Sequence, residues 1–442
     1  MLRRILTNMG WSSAEQITRM IVGLITSVWL TRCLGPHQYG SYNLIVSTAA
    51  IAAAFIPMAS DQILQRELIG APQRSGELLC SAFVLRILGA AVASCLVVTI
   101  ILALRPDQPS AKAIAAFAGL AVLFNPAEVI TVWFSSNLNA RATFLAKLPS
   151  ILASLCLRIV LALFGAPLLA FVALIWAEAA VTGLCLALAY RTERKEFSDW
   201  RSTKNAISVL WRDSWPLLIA GLLTVLYLKI DVVMLAAIRG DGEVGLYGAA
   251  TRLSEVWFAI PMIVSLTLQP VLFSLKSANP DKYQYTLRSV YASMAWISIA
   301  LAIATSFVAT PLCVALFGSK YEPSGTVLAI HIWSAVPIFL GVTSTCFLIV
   351  ENHVGVTIYR TVIGLAVNVG LNLLLMPLNG AVGAAIATVI SYTCATFVIA
   401  MFPATRHHAL AMIRALSPLG ILDLLKPMSE IGLGLSKRRT AI

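Results

Sequence analysis

Charge is scarce in this sequence. Only 12% of its 442 residues are Asp, Glu, Lys or Arg, about half the share a soluble domain carries, while 59% belong to the hydrophobic set. The eight cysteines (Cys33, Cys80, Cys95, Cys156, Cys185, Cys313, Cys346, Cys394) are scattered singly, mostly within apolar segments, with no C-x-x-C pair, and read as small apolar fillers in helices. No G-x-x-x-x-G-K-[ST] loop is present, so this chain does not drive itself with ATP. The loop after the second apolar segment lacks the Gly-x-x-x-Asp-Arg-x-Gly pattern of major facilitator transporters. A cleaved signal peptide is not expected either. Arg3 and Arg4 precede a first apolar segment longer than a signal core, with Arg19 inside it and no A-x-A site.

What is present is length of apolar chain. Runs of 18 residues or more recur from Met20 to Phe402, enough to cross a hydrocarbon core of ~30 Å. The sequence therefore predicts an all-α polytopic membrane protein of about twelve spans: 12–33, 42–63, 79–103, 113–135, 147–163, 168–189, 214–237, 247–273, 289–316, 325–349, 357–376 and 381–402. With the N-terminus inside, 22 of the 32 basic residues fall on the cytoplasmic side and 5 outside (Arg32, Arg105, Lys112, Arg239, Lys320), the rest lying within spans. That asymmetry places both termini in the cytoplasm. It also explains the net charge of +12 without a nucleic-acid partner, because the cations occupy short loops and the tail. The expected organisation is a six-helix lobe over 1–190, a cytoplasmic linker over 191–213, a second six-helix lobe over 214–402, and a basic cytoplasmic tail over 403–442. The tail is open between a short interfacial helix and disorder. Trp11, Trp133, Trp211 and Trp215, near span ends, read as interfacial belts.

An internal repeat supports two lobes. Gly35-Pro36-His37-Gln38-Tyr39-Gly40-Ser41-Tyr42 is followed 205 residues later by Gly240-Asp241-Gly242-Glu243-Val244-Gly245-Leu246-Tyr247, with Gly, Gly and Tyr at identical spacing. Each copy occupies the first outer loop of its half, where glycine permits the tight turn. Even span counts make the repeats parallel, related by an axis along the membrane normal, with a central path between them.

Four segments carry a family likeness: Leu34-Gly35-Pro36-x-x-Tyr39-Gly40-x-Tyr42; Ile230-Asp231-Val232-Val233-Met234-Leu235 with Val244-Gly245-x-Tyr247-x-Ala249; Leu316-Phe317-Gly318-Ser319-Lys320-Tyr321; and Asn368-x-x-Leu371-Asn372-Leu373 through Pro377, then Gly380-Ala381-Val382-Gly383-Ala384-Ala385-Ile386-Ala387-Thr388. In these the chain resembles the polysaccharide flippases, the Wzx-type lipid-linked oligosaccharide transporters of the multidrug/oligosaccharidyl-lipid/polysaccharide exporter superfamily. The resemblance implies alternating-access export of an undecaprenyl-pyrophosphate-linked glycan across the bacterial inner membrane for O-antigen or exopolysaccharide assembly. Its implied partners are that glycan, membrane lipid and other polysaccharide-assembly proteins. No cofactor is implied, and coupling to H+ or Na+ stays open. An ion-coupled multidrug or small-molecule exporter of the same superfamily is the competing reading. A glycosyltransferase, polymerase or ligase is disfavoured, because the outer loops are short and the long inner loop has no Asp-x-Asp pair.

Ionisable residues at membrane depth point to function. Arg19, Arg86 and Arg158, with Glu128 and Glu178, form a first group whose cation excess suits an anionic headgroup, since arginine can grip a pyrophosphate oxygen pair. These three arginines are the candidate substrate-binding residues. Lys229, Asp231, Arg252 and Glu255 form a balanced second group in the outer third, the candidate gating or coupling network, with an Asp231–Arg252 pair expected. The competing reading for both groups is ion pairing that simply holds helices together, with Glu128 and Glu178 as the partners in the first. Glu15 and Arg19, four apart, are placed to pair on one helix face. His331 reads as a satisfied interior histidine.

Overall fold

The computed structural model describes residues 2–105, 111–194, 200–353, 355–418 and 420–421. Among them every regular element is a helix, as expected where lipid leaves the backbone no partner but itself. Ten helical runs among the described residues are long and apolar enough to cross a membrane. Two are too long for a single crossing: Gly10–Ala53 has 44 residues and Gly355–Met401 has 47, roughly 65–70 Å of helix against a ~30 Å core. Each breaks at a glycine with positive φ, Gly35 at 68° and Gly380 at 53°. Dividing both runs there gives the twelve crossings the sequence predicts.

The boundaries differ where capping outweighs hydropathy. The expected 42–63 span ends as helix at Ala53, ahead of Pro57, and the chain restarts at Asp61–Gly70. The expected 147–163 span begins at Ala140. There the Asn139 side chain accepts from the Ala142 N–H at 3.3 Å, giving the helix a cap that hydropathy could not signal. The seventh helix likewise starts at Lys204, capped by Thr203, so residues 204–213 of the expected linker are helical. Residues 195–199 of that linker lie outside the described residues.

The chain divides into two compact units, Met1–Gly248 and Ala249–Ile442. In the first, Ser75–Leu104 packs on Ala111–Leu123 through Ala90, Ala93, Ala115 and Ala118. Small side chains let the helices approach closely, which replaces the hydrophobic drive that lipid cannot supply. Trp133 is partly buried and packs edge-on against Tyr190 at 4.9 Å, beside a core that includes Phe134. Trp211 and Trp215 are exposed, as a lipid-facing role requires.

In the second unit the helix Pro280–Phe317 packs against Glu322–His331, Ala335–Val350 and Arg406–Leu416. His331 is buried and its Nδ1 shares a 2.7 Å hydrogen bond with Ser254 Oγ, the interior histidine expected. The expected tail contains the amphipathic helix Arg406–Leu416, which buries His408, Ala409, Met412 and Ala415 on one face; residues 422–442 lie outside the described residues. His408 Nε2 meets Glu351 Oε2 at 3.0 Å. Burial alone would raise the Glu351 carboxyl, but hydrogen bonds from His408 and Tyr283 and the charge of both histidines bring it down to about 2. Burial lowers the His408 imidazole against the opposing pull of Glu351. The eight cysteines are free.

Candidate functional site

The first unit holds a charged cavity of about 210 Å³. Asn125 and Pro126 interrupt the fourth crossing with the 3-10 turn Asn125–Glu128, which carries the Glu128 carboxylate out of the apolar face of the next helix. Arg19, Phe124, Asn125, Glu128, Glu178 and Thr182 are among its lining residues. Arg19 is 51% exposed at its side chain and pairs with Glu15 at 3.2 Å, the i,i+4 contact expected.

Behind that surface lies a cation expected at the cytoplasmic edge of the fifth span. Lys147 is only 6% exposed; its Nζ lies 2.6 Å from Glu128 Oε2 and 3.4 Å from Glu15 Oε1. Thr131 also donates to Glu128 Oε2 at 2.9 Å. The early start of the helix at Ala140 is what brings Lys147 indoors. Thr143, Lys147, Ser150, Ser154 and Arg158 then run down one helix face at three- and four-residue steps, a polar stripe legible once the helix start is known.

Arg158 Nη2 lies 2.6 Å from Glu178 Oε2, which also accepts from Ser154 Oγ at 2.6 Å. The three cations Arg19, Lys147 and Arg158 thus face three carboxylates, Glu15, Glu128 and Glu178. This first group is balanced rather than cation-rich. Arg86 is elsewhere: 3% exposed, its Nη2 donates to Ala59 O at 3.1 Å and to the Asp61 carboxylate. The structure therefore brings Arg19 and Arg158 to one carboxylate-lined region and leaves Arg86 in a separate pair. Arg86 Nε and Arg158 Nε are buried with no hydrogen-bond acceptor.

The two repeat copies meet directly. Gly35 (φ 68°, ψ 174°) and Gly240 (φ 85°, ψ 179°) adopt the same left-handed conformation, each breaking one helix and starting the next. A Cβ on Gly40 would overlap the Asp241 carbonyl, and one on Gly245 would overlap the Pro36 carbonyl, so each helix presses its glycine against the other's backbone. Asp241, 5% exposed, pairs with the Arg105 guanidinium and accepts from Ser41 Oγ. Neither Arg105 nor Asp241 was a candidate from sequence, since both sat in short outer loops; the usable signal was that Asp241 lies inside the repeat. Of the expected gating group, Asp231 is buried and accepts from Tyr247 Oη at 3.0 Å, and Lys229 shares its helix. Arg252 and Glu255 belong to the second unit.

A profile described as "Polysaccharide biosynthesis protein" matches residues 5–276. No curated protein sequence matches the chain. Solved structures do. An inward-facing multidrug resistance MATE family transporter of the MOP superfamily aligns with TM-score 0.72 at 14% identity, over 90% of this chain and 96% of that one. The lipid II flippase MurJ in an inward closed conformation aligns with TM-score 0.66 at 13% identity, over 94% and 92%. A MOP superfamily transporter from Pyrococcus furiosus, described as having a binding pocket of reversed polarity, aligns with TM-score 0.55 at 13% identity, over 94% and 95%. At these identities the likeness establishes the fold, and these neighbours are transporters and a flippase, not catalysts.

Proposed function

This chain belongs to the polysaccharide biosynthesis protein family, and on that footing we propose that it is a flippase for undecaprenyl-pyrophosphate-linked oligosaccharide units in the bacterial inner membrane, serving O-antigen or exopolysaccharide assembly. The observation that carries the reading is Arg19, half exposed, paired with Glu15 at 3.2 Å, and the one cation among the described residues that line the cavity. A pyrophosphate cannot enter hydrocarbon without replacing its lost hydration. Arg19 supplies a charged fork at the cavity, and Lys147 and Arg158 become available when Glu128 and Glu178 are displaced or protonated, which is where H+ coupling would act. Arg86 joins them only in a conformation that releases Asp61. The lipid tail stays in the bilayer while two six-helix lobes, 1–190 and 214–402, alternate access, with both termini cytoplasmic. Lys229, Asp231, Arg252 and Glu255, together with the Arg105–Asp241 pair, govern the outer end.

A second reading, an ion-coupled multidrug or small-molecule exporter, is favoured by the acids lining the cavity and by the MATE fold. Cationic drugs would use those acids, whereas an anionic headgroup needs the cations. The test measures surface glycan beside membrane abundance in a strain lacking the native gene. A charge-assisted hydrogen bond is worth about 1.5–3 kcal/mol, so Arg19→Ala is expected to reduce export roughly 10–100-fold at unchanged abundance. Normal export from a stable Arg19→Ala, Arg86→Ala, Arg158→Ala triple variant would overturn the proposal, and drug efflux surviving that triple variant while failing in Glu128→Gln, Glu178→Gln would establish the second reading.

A further inference from the structure

Outside the cavity, one cluster of side chains has the chemistry of a metal site. Glu351 follows the helix Ala335–Val350, while His407 and His408 open the helix Arg406–Leu416. Adjacent residues on a helix ordinarily diverge by about 100°. Here both imidazoles turn to the same carboxylate oxygen: His408 Nε2 at 3.0 Å and His407 Nε2 at 3.3 Å from Glu351 Oε2, with ring centroids 4.1 Å apart. One ligand atom from each residue lies within 4.8 Å of the others. Around a tetrahedral ion with bonds of about 2.0–2.1 Å, ligand atoms sit about 3.3 Å apart. Two of the three separations already lie close to that value.

The surroundings are those of a held ligand set. Tyr291 Oη lies 3.1 Å from His408 Nδ1, so His408 can keep a proton on Nδ1, hydrogen-bonded to the tyrosine, and turn the lone pair of Nε2 toward a metal. Tyr283 Oη donates to the other Glu351 oxygen at 2.9 Å, fixing the carboxylate and leaving Oε2 to the histidines. His408 is fully buried, whereas His407 is 45% exposed, which gives an ion its entry path. Two imidazoles and one carboxylate suit Zn²⁺ and its neighbours better than the hard cations Mg²⁺ and Ca²⁺.

We propose that Glu351, His407 and His408 bind one divalent transition-metal ion of the Zn²⁺ class, water completing its shell, and that the ion clasps the helix Arg406–Leu416 to the turn after Val350. The site is independent of glycan transport and stands or falls separately from it.

The test uses full-length, tag-free protein in detergent, stripped with a chelator and titrated with Co²⁺. The expected result is one Co²⁺ per chain with visible tetrahedral bands and no thiolate charge-transfer band, which separates this site from the free cysteines. Zn²⁺ should displace the Co²⁺ and raise the unfolding temperature. His407→Ala, at a half-exposed position, should retain the metal-free unfolding temperature and lose at least about tenfold in affinity. Glu351→Gln, which keeps the side-chain shape, should lose affinity as well. No bound Co²⁺ in the wild type, binding with a thiolate band, or unchanged affinity in a folded Glu351→Gln protein would each overturn the site, even where His407→Ala failed to fold.

Discussion

The contact between the repeat copies allows a prediction whose sign separates two physical effects. Gly40 and Gly245 both lie inside helices, where alanine is favoured over glycine by about 1 kcal/mol. If these glycines merely filled helix, Gly40→Ala and Gly245→Ala would stabilise the local structure. Their neighbours reverse that expectation, because the added Cβ would overlap the Asp241 carbonyl in one case and the Pro36 carbonyl in the other. Backbone cannot swing aside as a flexible side chain can. Inserting a methyl into so close a contact costs typically 1–3 kcal/mol, a factor of roughly 5–150 in the population of the closed arrangement. The assay is labelling of a single cysteine at Ser41, buried beneath Asp241, with a membrane-impermeant maleimide in a background lacking the native cysteines. Each alanine variant should speed labelling by about that factor relative to the same background. Labelling rates unchanged by both substitutions, in protein of normal abundance, would mean that the contact does not keep Ser41 covered.

Four further outcomes follow from particular contacts. Asp241→Ala leaves Arg105 without its carboxylate and is expected to raise Ser41 labelling as the glycine variants do, which a labelling rate equal to wild type would contradict. Arg158→Ala is expected to lose export at normal membrane abundance; lost abundance that Glu178→Gln restores would instead mark a pair that only holds the helices together. Asp231→Asn is expected to impair transport, and reversing both Asp231 and Arg252 to restore part of it; normal transport by the single variant removes Asp231 from the gate. A reporter fused after Arg201 should report cytoplasm, and an external signal there would overturn the orientation inferred from the loop charges.

Crossings and repeat were legible because both are local in sequence. Hydropathy over 18 residues identifies a span whatever it packs against, and Gly35 and Gly240 demand the same backbone turn in each copy. Helix starts were less legible. A cap such as Asn139 or Thr203 lies just outside the apolar stretch, so hydropathy began the fifth span at the residue that proved to be its buried cation, Lys147. Pairings were least legible. Arg86 with Asp61, Lys147 with Glu128 and Arg105 with Asp241 join residues 25, 19 and 136 positions apart, and depth along a span says nothing of which way a side chain points.

The same pairings bear on how an anion could pass. Loose cations at membrane depth would be costly in every state that lacks substrate, because each would need hydration that hydrocarbon withholds. Glu15, Glu128, Glu178 and Asp61 remove that cost by holding Arg19, Lys147, Arg158 and Arg86 as ion pairs. Replacing a carboxylate by a phosphate oxygen exchanges one anion for another at the same guanidinium, so the charge of the site changes little if the carboxylate takes up a proton as the substrate arrives. A balanced set of pairs is thus compatible with anion transport, provided that at least one cation can be reached first. Arg19, on the cavity surface and only half covered, meets that condition.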